Sequence, residues 1–165
     1  MEATLALDAY ARMFTISARI NWMEKAEQKQ GIPQLSFRLP LNYDAKTYRY
    51  DVPFGIADRR DEPLHDWYGR GFLCGVPAKG MGLSLMTDCR YGYRGWDNNL
   101  QVSVLRASSG PDRFPELGQR SARLAVGVTG GDAPDLHALS ESFCRQSPTA
   151  SNTAHKGSLP LGGQL

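Results

Sequence analysis

A chain of 165 residues and 18.2 kDa is long enough to bury one hydrophobic core without help from metals or disulfides. Its 19 Lys and Arg residues nearly balance 17 Asp and Glu residues, which argues against the basic surface of a nucleic-acid-binding protein. The 41% hydrophobic and 10% aromatic content excludes a chain that is disordered throughout.

Alternating sequence predicts two strands near the start of the chain. Residues 13–22 place five apolar side chains on one face and polar ones on the other, which is the pattern of a half-buried strand. Residues 35–41 alternate in the same way, although Pro40 favours an edge strand or a strand end. The charged residues 23–31 between them are expected to form an exposed hairpin connection.

The middle of the chain predicts three further strands. Residues 47–54 alternate, with tyrosines on one face. The polar stretch 55–68 contains Pro63 and predicts a long loop. Residues 69–76 and 82–87 predict two strands joined by a tight turn at residues 77–80.

The last third predicts two strands and then a change in composition. Residues 88–99 are rich in Gly and aromatics and predict a loop, whereas 100–106 and 121–128 predict strands. Residues 131–165 contain few large apolar side chains, so they predict a weakly structured tail or an extended arm. Only residues 135–144 within that segment favour a short helix.

These elements together predict an all-β protein. Seven or so short strands with almost no helix are typical of an antiparallel β-sandwich. The change in composition divides the chain into a β-sandwich domain at residues 1–130 and a Gly-, Ser- and Pro-rich tail at residues 131–165.

The N-terminus and the cysteines bear on the compartment. Residues 1–5 lack the basic segment and following apolar run of a signal peptide, and no apolar run approaches the ~20 residues that span a bilayer. Cys74, Cys89 and Cys144 are odd in number and far apart, which disfavours a disulfide framework. We therefore expect a cytoplasmic protein without membrane or nucleic-acid partners.

Motifs for nucleophilic or metal catalysis are missing from the sequence. There is no G-x-S-x-G or H-E-x-x-H, and His65, His137 and His155 are isolated from one another. Cys89 stands next to Arg90, which could lower the pKa of its thiol, but no base is near in sequence. These observations give no catalytic or metal-ligating residue.

The densest group of chemically versatile side chains is residues 88–96, Asp-Cys-Arg-Tyr-Gly-Tyr-Arg-Gly-Trp. Sugar sites combine aromatic faces with fixed polar groups in this way. The alternative is that these aromatics simply cover one end of the sandwich core. Composition alone favours that simpler interpretation.

An ordered series of motifs resembles glycoside hydrolase family 38, the α-mannosidases, in the β-sandwich region downstream of the catalytic barrel. The resemblance covers roughly residues 10–130. Its motifs are INWMEK at 20–25, YDVPFG at 50–55, Trp67, GLSLMTDCRYGY at 82–93, LQVSVLR at 100–106 and Pro111-Asp112, with GSLP at 157–160 as a weaker one.

The resemblance implies part of a mannosidase/mutarotase-like super-sandwich and says where catalysis lies. Complete family members are retaining, zinc-dependent exo-α-mannosidases with two catalytic carboxylates, and these groups and the zinc ligands belong to an N-terminal α/β barrel. This chain starts downstream of the barrel and has no H-x-D ligand pair. It is therefore expected to hold no zinc and to be inactive alone.

The resemblance also implies which residues approach substrate. The family's equivalent loop reaches the active-site rim, so Asp88 and Arg90 are the first candidates, with Tyr91 and Tyr93 in support. The implied partners are α-mannoside glycans and the missing barrel, in cis or in trans. A sandwich that normally packs on a barrel should also expose an apolar patch. The alternative is a free-standing carbohydrate-binding or subunit-interaction module.

Overall fold

The structure is a computed structural model that describes residues 1–26, 31–110 and 115–145. It is a sandwich of two antiparallel sheets, which confirms the predicted fold class. In these residues there are eleven strands and one helix: β1 (Glu2–Ala6), β2 (Met13–Trp22), β3 (Gln34–Pro40), β4 (Ala45–Val52), β5 (Gly55–Arg59), β6 (Trp67–Tyr68), β7 (Phe72–Pro77), β8 (Gly82–Thr87), β9 (Gly92–Trp96), β10 (Asn99–Arg106), β11 (Gly118–Thr129) and α1 (Ala133–Cys144).

The two sheets differ in width. The larger one has seven strands in the order β1-β2-β11-β8-β7-β4-β5, and the smaller one has four in the order β3-β10-β9-β6. Strands β2 and β11 form the longest pairing, from Met13 opposite Gly127 to Trp22 opposite Gly118. Strands β1 and β3 are edge strands of their sheets, and the edge position of β3 agrees with Pro40.

The main core lies between the sheets and includes three tyrosines. Tyr48 and Tyr50 on β4 and Tyr93 on β9 are fully buried, because strand alternation turns their side chains inward. Gly95 makes room for this packing, since a Cβ at that position would lie 2.3 Å from the Tyr48 ring.

A second, smaller core lies on the outer face of the larger sheet. Helix α1 presents Leu136, Leu139 and Phe143 to that face, at the i, i+3, i+7 spacing of an amphipathic helix. The helix approaches the sheet closely at Gly127, where a Cβ would lie 2.6 Å from Leu139 Cδ2. The helix predicted at residues 135–144 is thus present, and it begins two residues earlier.

Two segments that were predicted as loops contain strands, so those predictions are wrong. Residues 55–68 hold β5 and β6, and residues 88–99 hold β9. Strands β5 and β6 are edge strands. Strand β5 is largely polar and β6 has only two residues, so neither shows the apolar alternation that identifies half-buried strands. Strand β9 is followed by a two-residue hairpin turn in which Asp97 and Asn98 have φ of 44° and 53°.

Some sequence predictions fall outside the described residues. These include part of the 23–31 connection, the Pro111-Asp112 motif and, in the tail, His155 and the GSLP segment. Strand β1 at residues 2–6 was not predicted, because its five residues are too few to establish a pattern and all are exposed. The division of the chain at residue 130 stays a prediction.

Candidate functional site

The four candidate residues lie in and directly after the short connection from β8 to β9. Thr87 ends β8 and Gly92 begins β9, so Asp88, Arg90 and Tyr91 belong to the connection. Tyr93 belongs to β9 itself. Asp88, Arg90 and Tyr91 therefore lie together at one end of the sandwich, whereas the Tyr93 side chain lies in the core.

The Arg90 side chain is fixed by backbone carbonyls. Its Nε donates to Val104 O at 2.6 Å, Nη2 donates to Ser121 O at 3.0 Å and Nη1 donates to Cys89 O at 2.9 Å. Charge-assisted bonds of this kind hold a guanidinium firmly. Arg90 thus connects β10, β11 and the β8–β9 connection, and most of its donors are already used.

Tyr93 is buried and supports the connection from inside the core. Its hydroxyl lies 2.7 Å from Thr87 Oγ1, and Thr87 Oγ1 donates to Arg90 O at 2.7 Å. Burial strongly raises the pKa of Tyr93, although the bond to Thr87 opposes the change. Tyr93 therefore presents no surface to a ligand in this structure.

Tyr91 is half exposed, and Asp88 is partly exposed with one carboxylate oxygen buried. Asp88 Oδ2 lies 3.5 Å from Arg123 Nη1 on β11. The Tyr91 ring is half exposed and stacks on Tyr68, with ring centroids 6.0 Å apart and planes inclined by 22°. This pair forms an exposed aromatic surface of the kind that packs against sugar C–H groups.

Next to these residues, the structure brings together side chains that sequence reasoning missed. Asp51 at the end of β4 accepts a hydrogen bond from Arg70 Nε at 3.0 Å. Glu141 on α1 lies 3.7 Å from Arg70 Nη2 and 2.5 Å from Arg145 Nε. The only sequence signal was the Asp51 carboxylate within the YDVPFG motif, because three separate segments of the chain supply this group.

The rest of the 88–96 cluster is dispersed along β9 rather than gathered on a loop. Arg94 donates to Asp66 Oδ1 at 2.8 Å and to Pro63 O at 3.0 Å. Arg38 lies over the Trp96 ring at 4.7 Å. Arg94 and Trp96 are two residues apart, so alternation places both on the outer face of β9, opposite to the buried Tyr93.

The thiols near the site are not activated. Burial and the neighbouring Asp88 carboxylate raise the pKa of Cys89, and this outweighs the opposite effect of Arg90. Burial likewise raises the pKa of Cys144. The effect of Arg90 on the Cys89 thiol is therefore outweighed, which agrees with the sequence analysis in giving Cys89 no catalytic role.

Within residues 1–26, 31–110 and 115–145, no three His, Cys, Asp or Glu side chains are arranged to hold a metal ion. Over the same residues, the helix is too short and too polar to cross a membrane.

The two sheets, the helix on the outer face and the polar β8–β9 connection define an antiparallel β-sandwich domain. The sequence profile of the glycosyl hydrolases family 38 C-terminal domain matches residues 1–114. The chain belongs to this family, as its C-terminal domain, and the resemblance noted in the motifs is confirmed.

The relatives are much longer than this chain. It is 26% identical over 133 residues to an alpha-mannosidase of Saccharomyces cerevisiae and 22% identical over 133 residues to alpha-mannosidase G of Dictyostelium discoideum. These matches cover 76% and 77% of this chain but only 12% of each relative. The chain therefore spans about an eighth of the relatives' length.

A solved structure supports the fold. The crystal structure of a protein in glycosyl hydrolase family 38 from Enterococcus faecalis superposes on 94% of this chain with a TM-score of 0.68 and 17% identity. The match covers 19% of that longer chain.

Proposed function

We propose that this chain is the non-catalytic β-sandwich part of an α-mannosidase that hydrolyses terminal α-mannosides. The observation that carries the proposal is an apolar groove at one side of the sandwich. Its volume is about 310 Å³, and it opens between β1 and β2 of the larger sheet and β3 of the smaller one. Its wall includes Met1, Leu5, Phe14, Leu35 and Phe37.

The groove resembles a protein–protein interface more than a solvent-exposed surface. Leu5 is 67% exposed, and all five residues of β1 are exposed. Strands β1 and β3 are both edge strands and lie on this side. An apolar groove between the free edges of two sheets is a favourable binding surface for another polypeptide segment.

The occupant that we propose is the remainder of the same enzyme, in cis or in trans. The sequence relatives have roughly seven-eighths of their length outside the region matched here, and the solved relative has about four-fifths. Within this larger protein, the β8–β9 connection would support the rim of the active site. Asp88 and Tyr91 would contact the α-mannoside glycan, and Arg90 would hold the connection in place.

The zinc ion and the catalytic carboxylates that the family implies belong, in this proposal, to the barrel. The residues described for this chain offer no ligand set that fits such an ion. No catalytic step is therefore assigned to this chain. Its contribution, in this proposal, is to position the rim of the active site.

A complementation assay tests the proposal. The yeast α-mannosidase is produced without the segment that corresponds to this chain, and its hydrolysis of p-nitrophenyl α-mannoside is measured with and without this chain added. We expect hydrolysis to be restored only in the mixture. No complex and no restored hydrolysis would contradict the proposal.

The second candidate function is a free-standing carbohydrate-binding module. The exposed stacked pair of Tyr68 and Tyr91 favours it. This candidate predicts that the chain alone binds methyl α-mannoside and does not restore hydrolysis to the truncated enzyme. The complementation assay therefore separates the candidates, because only the first one predicts restored hydrolysis.

A further inference from the structure

A polar cleft lies where the last turn of helix α1 meets the β8–β9 connection. Its volume is about 230 Å³, below the roughly 300–1,000 Å³ of sites for drug-sized ligands, so it suits one small ring. Gly71 lies at its base, where a Cβ would come within 2.6 Å of Ser140 Oγ. The polar and aromatic side chains that line it are Asp51, Arg70, Asp88, Tyr91, Glu141 and Arg145.

The Asp51 carboxylate is buried with one oxygen unsatisfied. Its side chain is 1% exposed, and Oδ2 accepts from Arg70 Nε. Oδ1 has no hydrogen-bond partner among the described residues, and His137 Nδ1 is 4.0 Å away. A buried acceptor without a donor is costly. This oxygen therefore favours a ligand that brings a donor.

Asp88, from a different segment of the chain, also has one buried carboxylate oxygen without a hydrogen-bond partner among the described residues. This oxygen is Oδ1, while Oδ2 faces Arg123. Two carboxylates lining one small cleft thus each keep an oxygen without a donor. A ligand with several hydrogen-bond donors matches this pattern better than one with a single donor.

The charge balance of the cleft indicates that the hydrogen-bond donors of the ligand are uncharged. The carboxylates of Asp51, Asp88 and Glu141 face the guanidiniums of Arg70 and Arg145 in the lining, and Arg123 pairs with Asp88 from outside. The charges cancel, so the cleft has little net attraction for a cation. Hydroxyl groups fit instead, because they donate to the carboxylates and accept from the guanidiniums.

We propose that this cleft binds a single sugar ring of a glycan, with Asp51 and Glu141 accepting from its hydroxyls. Arg70 donates to the hydroxyl oxygens, and the half-exposed Tyr91 ring covers an apolar face of the ring. The inference rests on the proposed function, in which this end of the sandwich contacts α-mannoside glycans. It adds a site built jointly by β4, the β8–β9 connection and helix α1.

The test is a titration of the full 165-residue chain with methyl α-mannoside, followed by backbone amide NMR shifts. We expect the shifts to concentrate at Gly71, Tyr91 and residues 140–145. Asp51→Asn and Glu141→Gln should each weaken binding about tenfold, because each removes a charged acceptor. Asp58→Asn is the matched control, since Asp58 is also 3.0 Å from an Arg Nε, that of Arg49, and lies outside the cleft lining.

Other outcomes overturn the inference. Shifts elsewhere on the chain, or equal effects of Glu141→Gln and Asp58→Asn, would rule out the cleft. Binding of methylguanidinium there in preference to the mannoside would show a site for a basic side chain. The proposed function fails separately, when the chain does not restore hydrolysis to the truncated enzyme. Asp51 is buried, so Asp51→Asn could fail to fold. Glu141 is only partly buried and Glu141→Gln keeps the shape of the side chain, so this variant still tests the cleft in that case.

Discussion

The Thr87 hydroxyl organises the β8–β9 connection. It accepts from the Tyr93 hydroxyl and donates to Arg90 O, and the backbone N–H of Arg90 lies 3.3 Å from it. Thr87 and Tyr93 are both fully buried, so water cannot replace a lost bond. The Thr87 side chain therefore supports the candidate rim from below, in addition to the bonds that Arg90 makes to β10 and β11.

Thr87→Val should lower the free energy of unfolding by about 1–3 kcal/mol, because it leaves the buried Tyr93 hydroxyl without its partner. Urea unfolding at neutral pH measures this. Thr87→Ser keeps the hydroxyl and should recover most of the loss. Equal losses in the two variants would show that the methyl group, and not the hydroxyl, matters.

Phe54 holds a strained backbone conformation at the tip of the β4–β5 hairpin. Its φ is 69° and its side chain is fully exposed. A bulky residue rarely adopts this left-handed region, and the cost is roughly 1–2 kcal/mol. The side chain recovers none of this cost through burial within the chain.

Phe54→Gly should raise the free energy of unfolding by about 0.5–1 kcal/mol, since glycine adopts positive φ without a Cβ clash but loses more chain entropy. Thermal and urea unfolding of the two proteins measure the difference. A clear destabilisation would show that the Phe54 ring makes contacts that its exposure does not indicate.

At the residue scale, the sequence predicted the position of the candidate site better than its chemistry. Asp88, Arg90 and Tyr91 do lie together, because they are neighbours in the chain. The fixed state of Arg90 was not predictable, since it depends on carbonyls of Val104 and Ser121 in other strands. The position of Arg70 between Asp51 and Glu141 depends likewise on the folded sheet and the docking of the helix.

At the element scale, helix α1 is attached to the sheet by a partly exposed ion pair at its first turn. Arg12 donates to both Asp135 oxygens, at 2.7 and 2.9 Å, and Thr129 Oγ1 donates to Asp135 Oδ2 at 2.6 Å. The bond from Arg12, followed by that from Thr129, lowers the pKa of Asp135 from 3.8 to about 2. The folded state therefore favours the ionised carboxylate.

Asp135→Asn should cost about 1–2 kcal/mol of unfolding free energy at pH 7, because a charge-assisted pair becomes a neutral one. The ionised form stabilises the fold fully above pH ~4, and its contribution declines as the pH falls through the folded pKa near 2. The stability difference between wild type and variant should therefore shrink from pH 4 downward.

Urea unfolding at several pH values between 2 and 7 gives this difference. Asp132→Asn is the matched control, because Asp132 stands at the N-cap of α1 without a side-chain capping bond. Its effect should stay within about 0.5 kcal/mol. A pH-independent difference between Asp135→Asn and wild type would contradict the assigned role of the carboxylate.

Elements with one buried face were predictable, and the short edge strands β1, β5 and β6 were not. Strand β2 at residues 13–22 and strand β8 at residues 82–87 have the predicted bounds, because β2 alternates and β8 is mostly apolar. Strand β6 has only two residues, both exposed, and it forms by pairing with β9. Such a strand is defined by its neighbour, so its own sequence carries little signal.

At the scale of the whole molecule, the apolar groove predicts self-association of the isolated chain. Leu5→Glu, in the groove wall, should reduce aggregation measured by light scattering, because it places a charge on the apolar edge. Leu64→Glu is the control, since Leu64 is 76% exposed and lies outside the groove lining. If both variants reduced aggregation equally, net charge and not the groove would be the cause.

The central claim is that the rest of an α-mannosidase covers this groove. Hydrogen–deuterium exchange of strand β1, measured with and without the truncated yeast enzyme, tests it most directly. Exposed edge strands exchange their amide hydrogens readily, so β1 should exchange fast in the isolated chain and slowly in the mixture, with little change in Trp67 and Tyr68 of β6. Unchanged exchange in β1 while hydrolysis is restored would contradict the assignment of the groove as the interface.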